Sequence, residues 1–200
     1  MAMTPSTMME LGTKAPYFEL KDTDGNMVSL NDFAGAKGLV VAFICNHCPY
    51  VIHIAPVLAQ IAKEYQQKGI AFVAINSNDT ISYPLDNYQH MISEKQQRDY
   101  SFPYLLDASQ NIAIVYEAAC TPDLYLFDGK QKLVYRGQFD STRPHRISSG
   151  NYDNSDGAAT GEDLTRAMDQ LLAGQPLDTQ QVASIGCNIK WKPGNEPDYF

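Results

Sequence analysis

Leu39-Val40-Val41-Ala42-Phe43-Ile44-Cys45-Asn46-His47-Cys48-Pro49 is the stretch whose reading decides the fold. Its continuous apolar run, β-branched at the centre, reads as a strand buried on both faces. Two thiols three positions apart follow at once. Pro49 suits the first turn of a helix, where a missing N–H costs little. Val51, Ile54, Leu58, Ile61 and Tyr65 then recur at helical spacing, and Lys68-Gly69 closes the helix. Pro56 lies inside it and is expected to kink it.

A strand that ends in Cys-x-x-Cys at a helix start brings sulfur to unpaired N–H groups and the positive end of the helix dipole. Both favour a thiolate. A second thiol within reach can then release a mixed disulfide. The pair reads as a redox dithiol rather than half of a zinc site, because His47, His53, Cys120 and Cys187 form no second pair at ligand spacing. No metal and no organic cofactor is implied. Cys45, the more exposed in such a turn, is expected to attack and Cys48 to resolve. His47, a cation between the two sulfurs, is expected to stabilise the thiolate and make the disulfide more oxidising.

Outward from this core, Ile70–Ile75 reads as a second buried strand, completing a right-handed β-α-β unit. Upstream, Lys14–Leu20 and Met27–Leu30 flank the turn signal Asp22-Thr23-Asp24-Gly25 and read as a hairpin. Downstream come a helix over about 86–98, a short strand at 103–106 and a helix over 111–119. Strands at 124–127 and 132–135 flank Asp128-Gly129, a hairpin signal. Residues 140–156 read as a polar loop, with Arg143, His145 and Arg146 a solvated basic cluster. A last helix spans 161–172 and a tail without periodicity follows. Asn78 and Asp79 follow the end of a core strand, and no role is assigned to them. His53 and His90 read as helix-surface residues and Trp191 as an anchor for the tail.

The 200 residues fit one domain: an arm at 1–11, the domain at 12–175 and a tail at 176–200 packed on it. A net charge of −8 opposes binding of nucleic acid. No apolar run is long enough to span a membrane, and residues 1–11 lack a secretory signal pattern, so the expected location is cytoplasmic.

The order β-α-β, helix, β-β-α, with Cys-x-x-Cys after the first core strand, resembles the thioredoxin fold. The chain is similar to the redoxin branch of that fold, the branch of AhpC/TSA proteins, peroxiredoxins and thiol-disulfide oxidoreductases. Gly12–Leu20 with Asp24-Gly25 resembles the branch's entry segment, Phe43–Pro49 its active-site turn, and Thr121–Asp128 its cis-proline loop and following strand. The resemblance implies an α/β fold with a central mixed sheet flanked by helices, an N-terminal hairpin and a C-terminal extension. It implies a cis Thr121-Pro122 bond whose backbone pairs with an extended substrate. Cys120, beside that bond, is a candidate additional thiol; Cys187 reads as structural.

The implied activity is thiol-disulfide exchange with protein or small-molecule disulfides, recharged by a reductant. A thiol peroxidase acting on peroxides, with Cys48 peroxidatic and Cys45 or Cys120 resolving, is the first alternative; a non-catalytic binding module is the second. The sequence departs from the resemblance at named places. Ile44 stands where thioredoxins carry Trp, Leu39 where they carry a buried acid, and Cys45 where peroxiredoxins carry Thr. No Arg lies between Arg98 and Arg136.

Overall fold

The computed structural model describes residues 3–148 and 150–199. The chain runs β1 (Met3–Pro5), β2 (Glu19–Asp22), β3 (Met27–Ser29), β4 (Gly38–Phe43), α1 (Pro49–Lys68), β5 (Ile70–Asn76), α2 (Tyr88–Arg98) and β6 (Tyr104–Leu106). It continues through α3 (Asn111–Val115), β7 (Cys120–Thr121), β8 (Asp123–Asp128), β9 (Leu133–Arg136), β10 (His145–Ser148), β11 (Asn151–Asp153), α4 (Glu162–Leu172) and β12 (Ile185–Asn188).

A mixed sheet carries the order β3-β2-β6-β5-β4-β8-β9. Strand β4 pairs in parallel with β5 and antiparallel with β8, so Val41 faces Val73 on one side and Tyr125 on the other. Its central place explains why all six of its residues are buried. Side chains alternate between faces. Val40 and Ala42 join the core under α1, α2 and α4, whereas Leu39, Val41 and Phe43 join the opposite core with Phe18, Tyr116 and Trp191.

Helix α1 buries Val51, Ile54, Leu58, Ile61 and Tyr65, the periodic set of the sequence. It ends at Gly69, whose φ of 97° is the left-handed cap that only glycine adopts without strain. The helix runs on through Pro56. The carbonyl that Pro56 leaves without a donor belongs to Ile52, an exposed residue that water can serve.

Three expectations are corrected. Helix α3 stops at Val115 rather than 119, where Glu117 turns left-handed at φ 52°. The polar stretch 140–156 contains a hairpin, β10 with β11, in which His145 lies opposite Asp153 and Arg146 opposite Tyr152. The tail contains β12, the middle strand of a second sheet of order β1-β12-β7. Strand β12 thus lies between the N-terminal β1 and β7, the strand that precedes Pro122.

Candidate active site

The site forms where β4 ends. The chain leaves the sheet at Phe43, and Cys48 is the N-cap of α1, with extended backbone at φ −72° and ψ 123°. The helix begins at Pro49, as the sequence predicts. The Thr121-Pro122 bond is cis and lies alongside. Cys45 Sγ is 3.6 Å from Thr121 Oγ1, and the Cys48 thiol donates to Thr121 O at 3.0 Å. Cys45, Cys48, Thr121 and Pro122 are thus brought together. Both sulfurs are buried, Cys45 at 2% exposure and Cys48 at 0%, so an exposed attacking thiol is absent.

The donors converge on Cys48. Burial pushes its thiol up, but hydrogen bonds from the thiols of Cys187 and Cys45, from Thr121 and from the Val51 N–H outweigh burial and hold it well below the ordinary range. Val51 is the third residue of α1, so its N–H is one of the donors the helix leaves unpaired. Cys45 is driven the other way, by burial first, then by Cys48 and the charge of Asp86. Of the two thiols, Cys48 is the one its surroundings make more acidic.

Asp86 was not legible as a site residue. It lies between β5 and α2 and is fully buried. The Asn46 N–H donates to its Oδ1 at 2.9 Å and Asn78 Nδ2 to its Oδ2 at 2.7 Å; His47 Nδ1 lies 2.6 Å from Oδ2. His47 stacks on Tyr83 at 5.7 Å between centroids, and Tyr104 donates to Asn46 Oδ1 at 2.9 Å. Cys45, His47 and Asp86 offer ligand atoms within 4.8 Å of one another, the one such ion-sized cluster among the described residues. Each already has protein partners: Asp86 holds His47, Asn46 and Asn78, and Cys45 holds Cys48 and Thr121.

Cys120 is buried, donates to Pro122 O at 3.4 Å, and is pushed up by burial and by Asp123. Cys187, read as structural in the tail, folds back beside this site. Strand β12 runs antiparallel to β7 with Cys187 opposite Thr121 and Asn188 opposite Cys120. Asn78 joins the two regions: it holds Asp86 and accepts from the Lys190 N–H at 2.8 Å. His53, read as a surface residue, contacts Thr142 Oγ1 at 2.8 Å and Asn154 Oδ1 at 3.0 Å, tying residues 142–154 to α1. Arg143 is not solvated: it donates to Gln138 Oε1, Asp140 O and Thr142 O at 2.5–2.6 Å.

Comparison with known proteins agrees with this geometry. The structure superposes on that of a conserved protein from Geobacillus kaustophilus with a TM-score of 0.89, at 45% identity over 97% of this chain and 98% of that one. It superposes on a protein from Sinorhizobium meliloti 1021 with a TM-score of 0.87, at 46% identity over 96% and 100%. A thioredoxin domain of a thiol-disulfide oxidoreductase from Bacteroides vulgatus, at 22% identity over 64% and 88% with a TM-score of 0.55, shares the fold. Thiol-disulfide oxidoreductase ResA of Bacillus thuringiensis subsp. konkukian is 26% identical over 140 residues, 70% of this chain and 76% of that protein. The fold is the thioredoxin fold, and with the AhpC/TSA family model matching residues 11–136, the chain belongs to the AhpC/TSA family.

Proposed function

We propose that this protein is a thiol-disulfide oxidoreductase in which Cys48 attacks a substrate disulfide and Cys45 resolves the product. The observation that carries the reading is the place of Cys48 at the N-cap of α1, its sulfur 3.0 Å from Thr121 O beside the cis Thr121-Pro122 bond. The relatives named thiol-disulfide oxidoreductase support the same chemistry. The sequence points to Cys45 as the more exposed thiol; both sulfurs are buried, and the N-cap position of Cys48 on α1 favours the reverse order.

The Cys48 thiolate attacks one sulfur of the substrate, and the other leaves as a thiolate. Cys45 then gives up its proton and attacks the Cys48 sulfur, releasing the second substrate thiol and closing the Cys45–Cys48 disulfide. His47 and Asp86, within 4.8 Å of the Cys45 sulfur, are the groups positioned to take that proton. A reductant dithiol of the cell restores the pair. The proposed compartment is the cytosol, where such a pair stays reduced. Thr121 and Pro122 contribute the backbone edge a substrate strand pairs with.

Insulin reduction driven by an external dithiol tests this. Turnover is expected to be lost in both Cys45→Ser and Cys48→Ser; turnover retained in Cys48→Ser overturns the reading.

One observation favours a second reading, a thiol peroxidase. The thiolate lies at Cys48-Pro49, where a peroxidatic cysteine would stand in the resemblance. Hydrogen peroxide oxidising Cys48 much faster than the protein reduces insulin would favour it.

A further inference from the structure

Strand β12 occupies the place a substrate strand would take. It pairs with Cys120 and Thr121, the backbone edge beside Pro122, and sets Cys187 opposite Thr121. Its flanks are fastened: Ser6 N donates to Ser184 O at 2.8 Å, Ile189 N to Ala119 O at 3.0 Å, and Asp79 N to Lys190 O at 2.7 Å. Gly186 is pressed so tightly on the edge that a Cβ there would lie 2.0 Å from Thr121 O. The Cys187 residue, 2% exposed, sits opposite Thr121, whose carbonyl oxygen lies 3.0 Å from the Cys48 sulfur, and its nearness lowers the Cys48 thiol. Cys48 therefore has one thiol on each side: Cys45 toward Asp86, and Cys187 on the strand that lies where a substrate cysteine would. Cys187 also lines a cavity of about 450 Å³ with Tyr50, Arg143, Arg146 and Ile185.

We propose that Cys187 is a third exchanging thiol, an internal substrate that forms a disulfide with Cys48. The inference rests on the dithiol chemistry proposed above. In the step, the Cys187 sulfur attacks Cys48 of the Cys45–Cys48 disulfide. The Cys48–Cys187 bond forms, the Cys45–Cys48 bond breaks, and Cys45 leaves as a thiolate that takes up the proton given up by Cys187. One disulfide replaces another, with no net oxidation. The oxidised protein is then a pair of isomers. In one, β12 is free to move off the Thr121 edge; in the other, it is tethered over it and its disulfide borders the cavity.

The acidity of the groups agrees. Cys187 is held above its ordinary range first by its bond to Cys48, then by burial and by the charge of Cys48, while Lys190 pulls it down. Once Cys48 is in a disulfide its influence is gone, leaving burial, which pushes Cys187 up, and Lys190, which pulls it down.

The test is disulfide mapping of Cys45→Ser oxidised with glutathione disulfide, with Cys45→Ala as a second variant and circular dichroism to confirm folding. Cys48 takes up one glutathione and releases the other; Cys187 then displaces the first. The expected product is a Cys48–Cys187 linked peptide. In Cys45→Ser/Cys187→Ser, the glutathione adduct on Cys48 is expected to rise about tenfold or more, because a tethered thiol competes at an effective concentration of roughly mM or higher. An adduct that persists on Cys48 in the folded single variant, with Cys187 still open to alkylation, overturns the proposal. Absence of a Cys45–Cys48 peptide in the oxidised wild type strikes the parent reading instead, since Cys187 is judged in the Cys45 variants alone.

Discussion

Gly186→Ala separates a docked substrate-like strand from a merely adjacent one. The new Cβ would lie 2.0 Å from Thr121 O, 2.6 Å from Thr121 C and 3.1 Å from Pro122 N, where ordinary contact begins at 3.4 Å. Those atoms are backbone, so no side chain can swing aside. Relief requires β12 to move by more than 1 Å at the point where Cys187 pairs with Thr121. Overpacking of this kind costs about 1–3 kcal/mol. The segments on either side of β12 are held by separate bonds at Ser184, Ile189 and Lys190, so the cost falls on local docking of the strand. The population with β12 lifted should rise roughly fivefold to 100-fold. The assay is the rate of alkylation by iodoacetamide at neutral pH, mapped to peptides, with urea unfolding alongside. Cys48 and Cys187 should accelerate together, and Cys120, anchored to Pro122 O, should lag. An unchanged Cys48 rate in the folded variant refutes the reasoning, as does equal acceleration of all four cysteines, which would signal global loosening.

Three further outcomes follow from the geometry. Asp123 is buried beside β7, and burial pushes its carboxyl up to about 6. The folded protein therefore binds a proton that the unfolded chain has released, and stability should fall by about 3 kcal/mol as pH rises from about 4 to 6; Asp123→Asn should flatten that slope in urea unfolding. Removing the imidazole with His47→Ala strips the partner from Asp86 and leaves its negative charge facing Cys45, so the reduced form loses stability. The reduction potential should drop by about 10–30 mV and rise in Asp86→Asn, and shifts of the same sign in both would refute the electrostatic account. Cutting the two contacts of His53 with His53→Ala should cost about 1 kcal/mol and speed hydrogen exchange across β10 and β11.

The legible parts of the fold are those written in local periodicity. Strand β4 is a continuous apolar run because neighbours flank it on both sides, and α1 announces itself through a buried face repeated at three and four residues. The dithiol was legible because two thiols at that spacing after a buried strand have few other uses. What escaped was set by tertiary pairing. β12 is four residues, Ile185–Asn188, two of them buried, and its identity as a strand depends wholly on β1 and β7 at its sides. Asp86 gave no local sign either, since its role comes from Asn46, His47 and Asn78 converging from other segments. The start of α1 at Pro49 was legible too; which sulfur lies at its N-cap with extended backbone was not, because that depends on how the turn leaves β4.

A strand whose own cysteine faces the reactive sulfur changes what burial of that sulfur means. A dithiol at 0–2% exposure, taken alone, argues against catalysis, because a disulfide must approach in line with the attacked bond. Here Cys48 lies in an apolar cluster that Cys187 joins from a strand hydrogen-bonded in the geometry of an extended substrate, with glycine at its tightest point and the thiol at the next residue. Such a strand shields the thiolate from unselective oxidants and yields to a chain that forms the same backbone bonds. Substrates able to pair with Cys120 and Thr121 gain back the hydrogen bonds that β12 gives up, whereas small disulfides gain none. Extended peptide disulfides should accordingly react faster than cystine with the wild type, and that preference should shrink in Gly186→Ala, where β12 is already lifted; equal preference in both proteins would mean that β12 plays no part in selection.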